Sequence, residues 1–102
     1  MSVGVVIKNG SARRIDVETG ADRGSLGTGG VVAGASDGDT IVLAFKSGQA
    51  RRYDAKTGAD RGSVGTSGVT GCQVSGGVIL LSYGSKGSRR YDARTGADKG
   101  SA

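Results

Sequence analysis

The sequence has 102 residues, of which 35% are hydrophobic and only 4% aromatic, and its net charge is +5. A chain of this length is about one small domain, and few large side chains are available for its core. One cysteine and no histidine exclude an intrachain disulfide framework, a Cys- or His-based metal cluster and a histidine general base. We therefore expect a non-enzymatic protein with no metal and no cofactor.

The N-terminal stretch predicts neither a signal peptide nor a membrane span. Its apolar run Val3–Ile7 is short, and Lys8, Arg13 and Arg14 follow it. We expect no membrane partner, and a cytoplasmic or virion location by default. The positive charge favours anionic partners, and it is spread along the chain rather than gathered in a tail.

One motif occurs three times, at residues 12–25, 50–63 and 88–101, with a step of 38 residues and no gap. Each copy holds an Arg-Arg pair, then an Asp-x-x-Thr-Gly turn and a Gly-Ser ending. A fixed period of this length predicts a repeat architecture. We predict a single repeat domain over 1–102, divided into periods at 1–26, 27–64 and 65–102. Copies this similar fit recent duplication, in a viral protein for example, or design.

Each period predicts short antiparallel strands, because β-branched and apolar runs end at turn signals roughly every nine or ten residues. The complete middle period contains strands A to D at Val31–Ser36, Thr40–Phe45, Ala50–Asp54 and Ala59–Val64. The last period contains Val69–Ser75, Val78–Tyr83, Ser88–Asp92 and Ala97–Ala102, and the first contains only Val3–Ile7, Ala12–Asp16 and Ala21–Leu26. The chain is therefore predicted to be all-β with eleven strands, and its first period lacks strand A.

Three segments of the middle period carry a family resemblance. These are Gly27-Thr-Gly-Gly-Val31, Ser36-Asp-Gly-Asp-Thr-Ile41 and Arg52-Tyr-Asp-Ala-Lys-Thr-Gly58. Together they resemble the WD repeat of β-propellers, and the Asp-x-x-Thr-Gly turn is similar to that of quinoprotein propellers. The resemblance implies blades of four antiparallel strands and a role as an interaction platform.

The chain departs from the WD pattern at two kinds of position. Thr28 and Thr66 stand where the family has His, and Ile15, Tyr53 and Tyr91 stand where it has Trp. The buried hydrogen-bond network of that family therefore cannot form here.

A propeller needs about four to eight blades, and this chain supplies fewer than three. We predict that the ring is completed by homo-oligomerisation, since each contact between copies would repeat a contact between blades. A dimer of about six blades is favoured, and a trimer is the other ring within range. A threefold β-trefoil or β-prism monomer remains the alternative fold.

The repeated arginines and tyrosines are the candidate binding residues. Alternation along a strand places Arg51 and Tyr53 on one face and Ala50, Arg52 and Asp54 on the other. One interpretation is a ring of equivalent sites between blades for an anionic or carbohydrate ligand; the other is ion pairing between blades. Few aromatic side chains argue against nucleic acid. The candidate ligand-binding residues are Arg14, Arg51, Arg52, Tyr53, Arg89, Arg90 and Tyr91.

The remaining motif residues are predicted to be structural. Asp side chains accept hydrogen bonds from turn amides, and Gly supplies positive φ. The predicted turn residues are Asp16, Asp54, Asp92, Gly20, Gly58 and Gly96. Cys72 is expected to be a small buried side chain on an inner strand. The predicted function is a structural or protein-interaction scaffold, and the alternative is a lectin-like or anion-binding ring.

Overall fold

The computed structural model describes residues 3–26, 29–37, 39–65 and 67–101. Within these ranges the chain forms eleven β-strands and one 3₁₀ turn, Gly84–Lys86. The strands are β1 Val3–Lys8, β2 Ser11–Asp16, β3 Asp22–Leu26, β4 Val31–Ser36, β5 Thr40–Phe45, β6 Ala50–Asp54, β7 Asp60–Val64, β8 Gly71–Ser75, β9 Val78–Ser82, β10 Ser88–Asp92 and β11 Asp98–Ser101.

Some predicted features lie outside the described residues. These are Gly27, Thr28 and Thr66 of the WD-like pattern, Gly38 of the turn between strands A and B, and Ala102 at the end of the last strand.

The described strands form three antiparallel sheets in which consecutive strands are neighbours. Blade 1 is β1 to β3, blade 2 is β4 to β7 and blade 3 is β8 to β11. The inner strand of one blade packs against the inner strand of the next, as β4 does against β8. The predicted all-β fold with four-stranded antiparallel propeller blades is therefore confirmed. The threefold trefoil or prism is not adopted.

A β-bulge recurs at the same place in every blade. The pairing of the last two strands shifts after Arg14 opposite Gly24, after Arg52 opposite Gly62, and after Arg90 opposite Gly100. These glycines have φ of 115°, 102° and 101°, a region that glycine enters at little cost. The bulge leaves the carbonyl of its extra residue without a partner in the ladder.

The apolar core lies between the blades, in two clusters. Blade 2 is covered on both sides, and its strand β5 is buried from Thr40 to Ala44. Ile41 and Leu43 face blade 1, whereas Val42 and Ala44 face blade 3. We call the side of a blade that faces the preceding blade its upstream face, and the other side its downstream face.

The first hairpin of blade 1 departs from the repeat. Asn9 and Gly10, at φ of 53° and 76°, form a two-residue turn of the type that an Asn-Gly pair favours. Ile7 therefore pairs with Ala12, whereas in blade 2 the residue that pairs with Ala50 is Ala44. The uninterrupted sequence period would align Ile7 with Phe45 instead.

Because of this shorter turn, β1 is shifted by one residue relative to the repeat. A shift by one moves every side chain of a strand to the opposite face. It places Val3, Val5 and Ile7 on the downstream face, where they pack against blade 2. The step of 38 residues therefore does not extend to β1.

Candidate functional site

The two arginines of each pair lie on opposite faces, as the alternation predicted. In blade 2, Arg52 is on the downstream face and only 7% exposed. Its neighbour Arg51 is on the upstream face and partly exposed. The two therefore have separate partners.

Arg52 bridges two blades through backbone carbonyls. Its Nη1 donates to the carbonyl oxygens of Ala93 at 3.1 Å and Arg94 at 2.8 Å, both in the turn after β10 of blade 3. Its Nη2 donates to the carbonyl oxygen of Arg61 at 2.8 Å, the extra residue of the bulge in its own blade. One guanidinium thus satisfies the bulge and fixes the next blade to it.

Arg14 makes the same bridge one period earlier. It donates to the carbonyl oxygens of Ala55 at 3.3 Å and Lys56 at 2.8 Å in blade 2, and to Arg23 at 2.7 Å in blade 1. We call Arg14 and Arg52 the bridging arginines. The prediction that these arginines form ion pairs between blades is wrong, because both arginines donate to backbone carbonyls of the next blade.

The turn that receives a bridging arginine is built by the Asp-x-x-Thr-Gly motif. Asp54 Oδ1 accepts the backbone N–H groups of Lys56 at 2.8 Å and Thr57 at 3.2 Å. Gly58, at φ 79°, donates to the carbonyl oxygen of Asp54 at 2.7 Å. The chain folds back tightly here, and the carbonyls of residues 55 and 56 accept from Arg14.

Glycine is required in this turn for a second reason. A Cβ at Gly58 would lie 3.0 Å from Nε of Arg14, and one at Gly96 would lie 3.2 Å from Nε of Arg52. The guanidinium therefore lies directly over the glycine. The turn residues Asp16, Asp54, Asp92, Gly20, Gly58 and Gly96 all adopt this geometry.

The bridging arginines are partly desolvated. Burial lowers the pKa of the Arg52 guanidinium, and Nε of both Arg14 and Arg52 is buried without a hydrogen bond. Desolvating a cation is costly unless its remaining donors are satisfied. The carbonyl acceptors of the next blade are therefore what allows the cation to stay buried.

The first arginine of each pair forms an ion pair within its own blade. Arg51 contacts Asp60 at 2.9 Å, Arg89 contacts Asp98 at 2.9 Å, and Arg13 contacts Asp22 at 2.6 Å. The bond from Arg51 is the main reason that the pKa of Asp60 lies below its usual range. Solvent screens pairs as exposed as these, so they add little to stability.

The predicted tyrosines are core residues. Tyr53 and Tyr91 are each 3% exposed, and the hydroxyl of Tyr91 lies 2.7 Å from that of Tyr83. Burial, and then the hydrogen bond to Tyr83, raise the pKa of Tyr91 to about 12. Ligand binding by the predicted arginines and tyrosines stays a prediction.

Cys72 lies on the inner strand of blade 3, as predicted, and is half-buried. Its Sγ is 3.7 Å from the carbonyl oxygen of Val42 in blade 2. Burial raises the pKa of its thiol to about 11, so at neutral pH it is a weak nucleophile.

The sequence did not predict a polar cleft between blades 2 and 3. It has a volume of about 620 Å³ and is lined by residues that include Asp37, Asp39, Asp54, Arg61 and Arg94. In the sequence, Asp37 and Asp39 are recognisable only as turn residues. Their spacing does not indicate that a turn of the next blade faces them. The described residues contain no group of three or more potential metal ligands.

Arg90 of blade 3 and the turn Asp16–Gly20 of blade 1 occupy the places of a bridging arginine and of its receiving turn, at opposite ends of the three blades. Arg90, the third residue of the bridging series, is exposed and donates to Lys99 of its own bulge at 3.1 Å. At the other end, the turn Asp16–Gly20 has open space over Gly20. Val17 in that turn is 62% exposed, whereas its counterparts Ala55 and Ala93 are at most 1% exposed.

No protein-family model and no curated protein matches the chain. Among solved structures, BamB from Moraxella catarrhalis superposes with a TM-score of 0.77 at 23% identity, over 99% of this chain and 33% of that protein. The computationally designed Ika8 protein superposes with a TM-score of 0.76 at 20% identity, over 100% of this chain and 36% of that one. Sqt1 from Saccharomyces cerevisiae gives 0.70 at 19% identity, over 96% of this chain and 29% of that protein.

These likenesses show the fold. BamB is a β-propeller and Sqt1 a WD-repeat protein, so the chain has the propeller fold. It spans about a third of the length of the three proteins just compared. The described residues include no helix with the length and hydrophobicity needed to cross a bilayer.

Proposed function

We propose that the chain is one subunit of a propeller ring built from identical copies, and that this ring is a non-enzymatic scaffold for protein interactions. The observation that carries the proposal is the exposed upstream face of blade 1. There Val6 is 51% exposed, whereas the residues at its place in blades 2 and 3, Leu43 and Leu81, are fully buried. Val6 is thus an apolar side chain at a core position of the repeat, and no blade among the described residues covers it.

The downstream face of blade 3 is the matching surface. Leu80 pairs with Arg90 there, as Val42 pairs with Arg52 in blade 2. Val42 and Arg52 are buried by blade 3, but Leu80 is half-buried and Arg90 exposed. A second copy that places its blade 1 on this face would cover both surfaces with the type of contact that the chain already makes twice.

The blade count supports a ring. Propellers close with about four to eight blades, so two or three copies of this chain fall in or near that range. Open sheet faces and strand edges would otherwise remain exposed to solvent. The dimer of about six blades is the assembly we expect.

The side chains support a binding role over a catalytic one. The chain has no histidine, and the thiol of Cys72 has a pKa of about 11. Its arginine pairs are engaged in holding blades and strands together. A rigid ring with charged turns at its surface is suited to presenting interaction sites.

Native mass spectrometry of the full chain over a range of concentrations tests the assembly. We expect one species at a small whole multiple of 10.1 kDa, with two copies favoured. A monomer at all concentrations would contradict the ring. Pull-down with the assembled ring as bait, and with a monomeric variant as control, would then identify scaffold partners.

A carbohydrate-binding ring is the second candidate, and the cleft between blades 2 and 3 favours it. Its volume is about 620 Å³, and both carboxylates and cations line it. Such a lining can donate and accept hydrogen bonds with sugar hydroxyls. A glycan array with the wild type and with Asp39→Ala tests this; signal that the substitution removes would favour a lectin-like function.

A further inference from the structure

We propose that Arg90 of one copy binds the turn Asp16–Gly20 of a second copy and donates to the carbonyl oxygens of Val17 and Glu18. This inference rests on the proposed ring and names the contact that closes it. The partner is a second copy of this chain, and each copy supplies one half of the site.

The spacing of the bridging arginines leads to these two acceptors. Arg14 and Arg52 each donate to the carbonyls of the residues 41 and 42 positions further along the chain. The same step from Arg90 passes the end of the described chain. In a ring of identical copies, the equivalent acceptors lie three periods earlier in the sequence, in the next copy. They are the carbonyls of Val17 and Glu18.

The receiving turn in blade 1 already has the geometry of the two filled turns. Asp16 Oδ1 accepts the backbone N–H groups of Glu18 at 3.0 Å and Thr19 at 3.3 Å. Gly20 has φ 76°, against 79° and 78° for its two counterparts. No rearrangement of the turn is needed for a guanidinium to bind.

The space over this turn is open. A Cβ built at Gly20 meets no atom within 4 Å, whereas one at Gly58 or Gly96 would lie about as close to a guanidinium as a Cβ can come, at 3.0 and 3.2 Å. Among the described residues of its own copy, none approaches the place that a guanidinium occupies in the two filled turns. The space is therefore available to a guanidinium from a second copy.

Arg90 is already held in position by its own blade. Its Nη2 donates to the carbonyl oxygen of Lys99 at 3.1 Å, which corresponds to the bond from Arg52 to Arg61 at 2.8 Å. The contact to a following blade is the part of the bridge that Arg90 lacks among the described residues. Binding of a second copy would therefore add hydrogen bonds to a side chain whose conformational freedom is already reduced.

Apolar side chains lie beside both halves of the contact. Val6 and Val17 are exposed on the upstream face of blade 1, and Leu80 lies beside Arg90 on the downstream face of blade 3. Arg52 is the buried counterpart, since it pairs with Val42 and both residues are buried between blades 2 and 3. The exposed halves therefore match the interface that the chain already contains.

The first test is Arg90→Ala, with Arg94→Ala as the matched control. Arg94 also carries one positive charge in blade 3 and is exposed, but it lies in the turn that faces blade 2. We expect Arg90→Ala to weaken assembly by about 30-fold or more, since it removes charge-assisted bonds at a buried contact, and Arg94→Ala to leave assembly unchanged. Circular dichroism should show that both variants keep the β fold, because Arg90 is exposed in the single copy.

The second test changes the other half of the contact. Gly20→Asn keeps the positive φ, which Asn tolerates, and places a side chain where the guanidinium would bind. Gly76→Asn is its control, since Gly76 also has positive φ, 56°, and open space around it. We expect only Gly20→Asn to produce monomers.

The outcomes separate this contact from the ring itself. Loss of assembly in Arg90→Ala and Gly20→Asn, with both controls intact, supports the contact. A wild type that assembles together with an Arg90→Ala variant that assembles equally well would overturn the contact and leave the ring standing. A monomeric wild type would overturn both.

Discussion

The two interfaces within the chain, between blades 1 and 2 and between blades 2 and 3, share a polar bridge but differ in their apolar filling. Between blades 1 and 2, Val5 and Ile7 of strand β1 extend over Gly34, which has no side chain. Between blades 2 and 3, Ala44 takes the place of Ile7 and Cys72 takes the place of Gly34. At each interface the larger side chain of the pair lies on one blade and the smaller side chain lies on the other.

This exchange explains how the chain tolerates the shifted first hairpin. The two-residue turn at Asn9 and Gly10 brings the larger residues of β1 to the downstream face. The glycine at position 34 provides the volume that they need. The bridging arginine is retained on both sides because its partners are backbone carbonyls, which do not depend on side-chain size.

The largest effect should come from removing a bridging arginine. We expect Arg52→Met to lower the free energy of unfolding by about 2–3 kcal/mol, since it leaves buried carbonyls of two blades without donors. Arg14→Met should cost about 1 kcal/mol, because that site is less buried and loses less on exposure to water. Urea denaturation at pH 7 measures both, and equal losses would show that burial of the bridge does not matter.

The exchange of volumes can be tested with a double-mutant cycle. Gly34→Cys alone should cost about 1–3 kcal/mol, because its Cβ would lie 3.0 Å from Cδ1 of Ile7. Ile7→Ala alone should cost about 2 kcal/mol through the cavity that it leaves. The double variant reproduces the pairing found between blades 2 and 3, so it should cost about 1 kcal/mol less than the two single losses together.

Leu43→Ala combined with Gly34→Cys is a useful contrast for that cycle. Leu43 also approaches Gly34, at 3.0 Å, but it belongs to the same blade. If Leu43→Ala offset the stability cost of Gly34→Cys by as much as Ile7→Ala does, relief of local crowding, rather than the fit between blades, would explain the coupling.

The sequence alone predicted the strands and turns well, since they depend on local chemistry. Apolar runs such as Thr40–Phe45 and the Asp-x-x-Thr-Gly turn fixed the predicted bounds to within one or two residues. The shift of β1 was missed because the three motif copies align without a gap. The Asn9-Gly10 pair, a strong signal for a two-residue hairpin turn, could have revealed it.

The role of the bridging arginines was only half predicted. Strand alternation placed Arg52 between blades, but a charge pattern points to carboxylates and not to carbonyls. The acceptors, Ala93 and Arg94, lie about 40 residues away and accept through atoms that every residue has. No sequence signal marks such a partner, so a structure was needed to find it.

A smaller effect should separate the two reasons for glycine in the receiving turn. Gly58→Ala must adopt φ 79° and also push against Nε of Arg14 at 3.0 Å. Gly76→Ala meets only the strain of a positive φ. We expect Gly58→Ala to lower the free energy of unfolding by about 1 kcal/mol more than Gly76→Ala does, which corresponds to a weakened bridge. Equal urea midpoints would mean that Arg14 moves aside at no cost.

The smallest effect concerns acid and acts on the interface between blades 2 and 3. Burial opposes ionisation of Asp37, but bonds from the backbone N–H groups of Thr40, Asp39 and Gly77 outweigh it and hold its pKa below the usual 3.8. The bond from Gly77, at 3.2 Å, crosses from blade 3. A carboxyl with a lowered pKa stabilises the fold above about pH 4, and that contribution is lost as the pH falls through its folded pKa.

Asp37→Asn should therefore make stability less sensitive to acid. Between pH 7 and pH 3 we expect the urea midpoint of wild type to fall further than that of Asp37→Asn, because the variant has no carboxylate to protonate at this contact. Asp39→Asn removes a nearby carboxylate to which no described residue of blade 3 donates a hydrogen bond, so it should follow the wild type more closely. The interface between blades 1 and 2 has no counterpart of this contact among the described residues, since blade 1 has three strands. If Asp37→Asn lost as much as wild type, the acid response would come from carboxylates outside this contact, such as those of the exposed ion pairs within the blades, and the two interfaces would not differ in their response to acid.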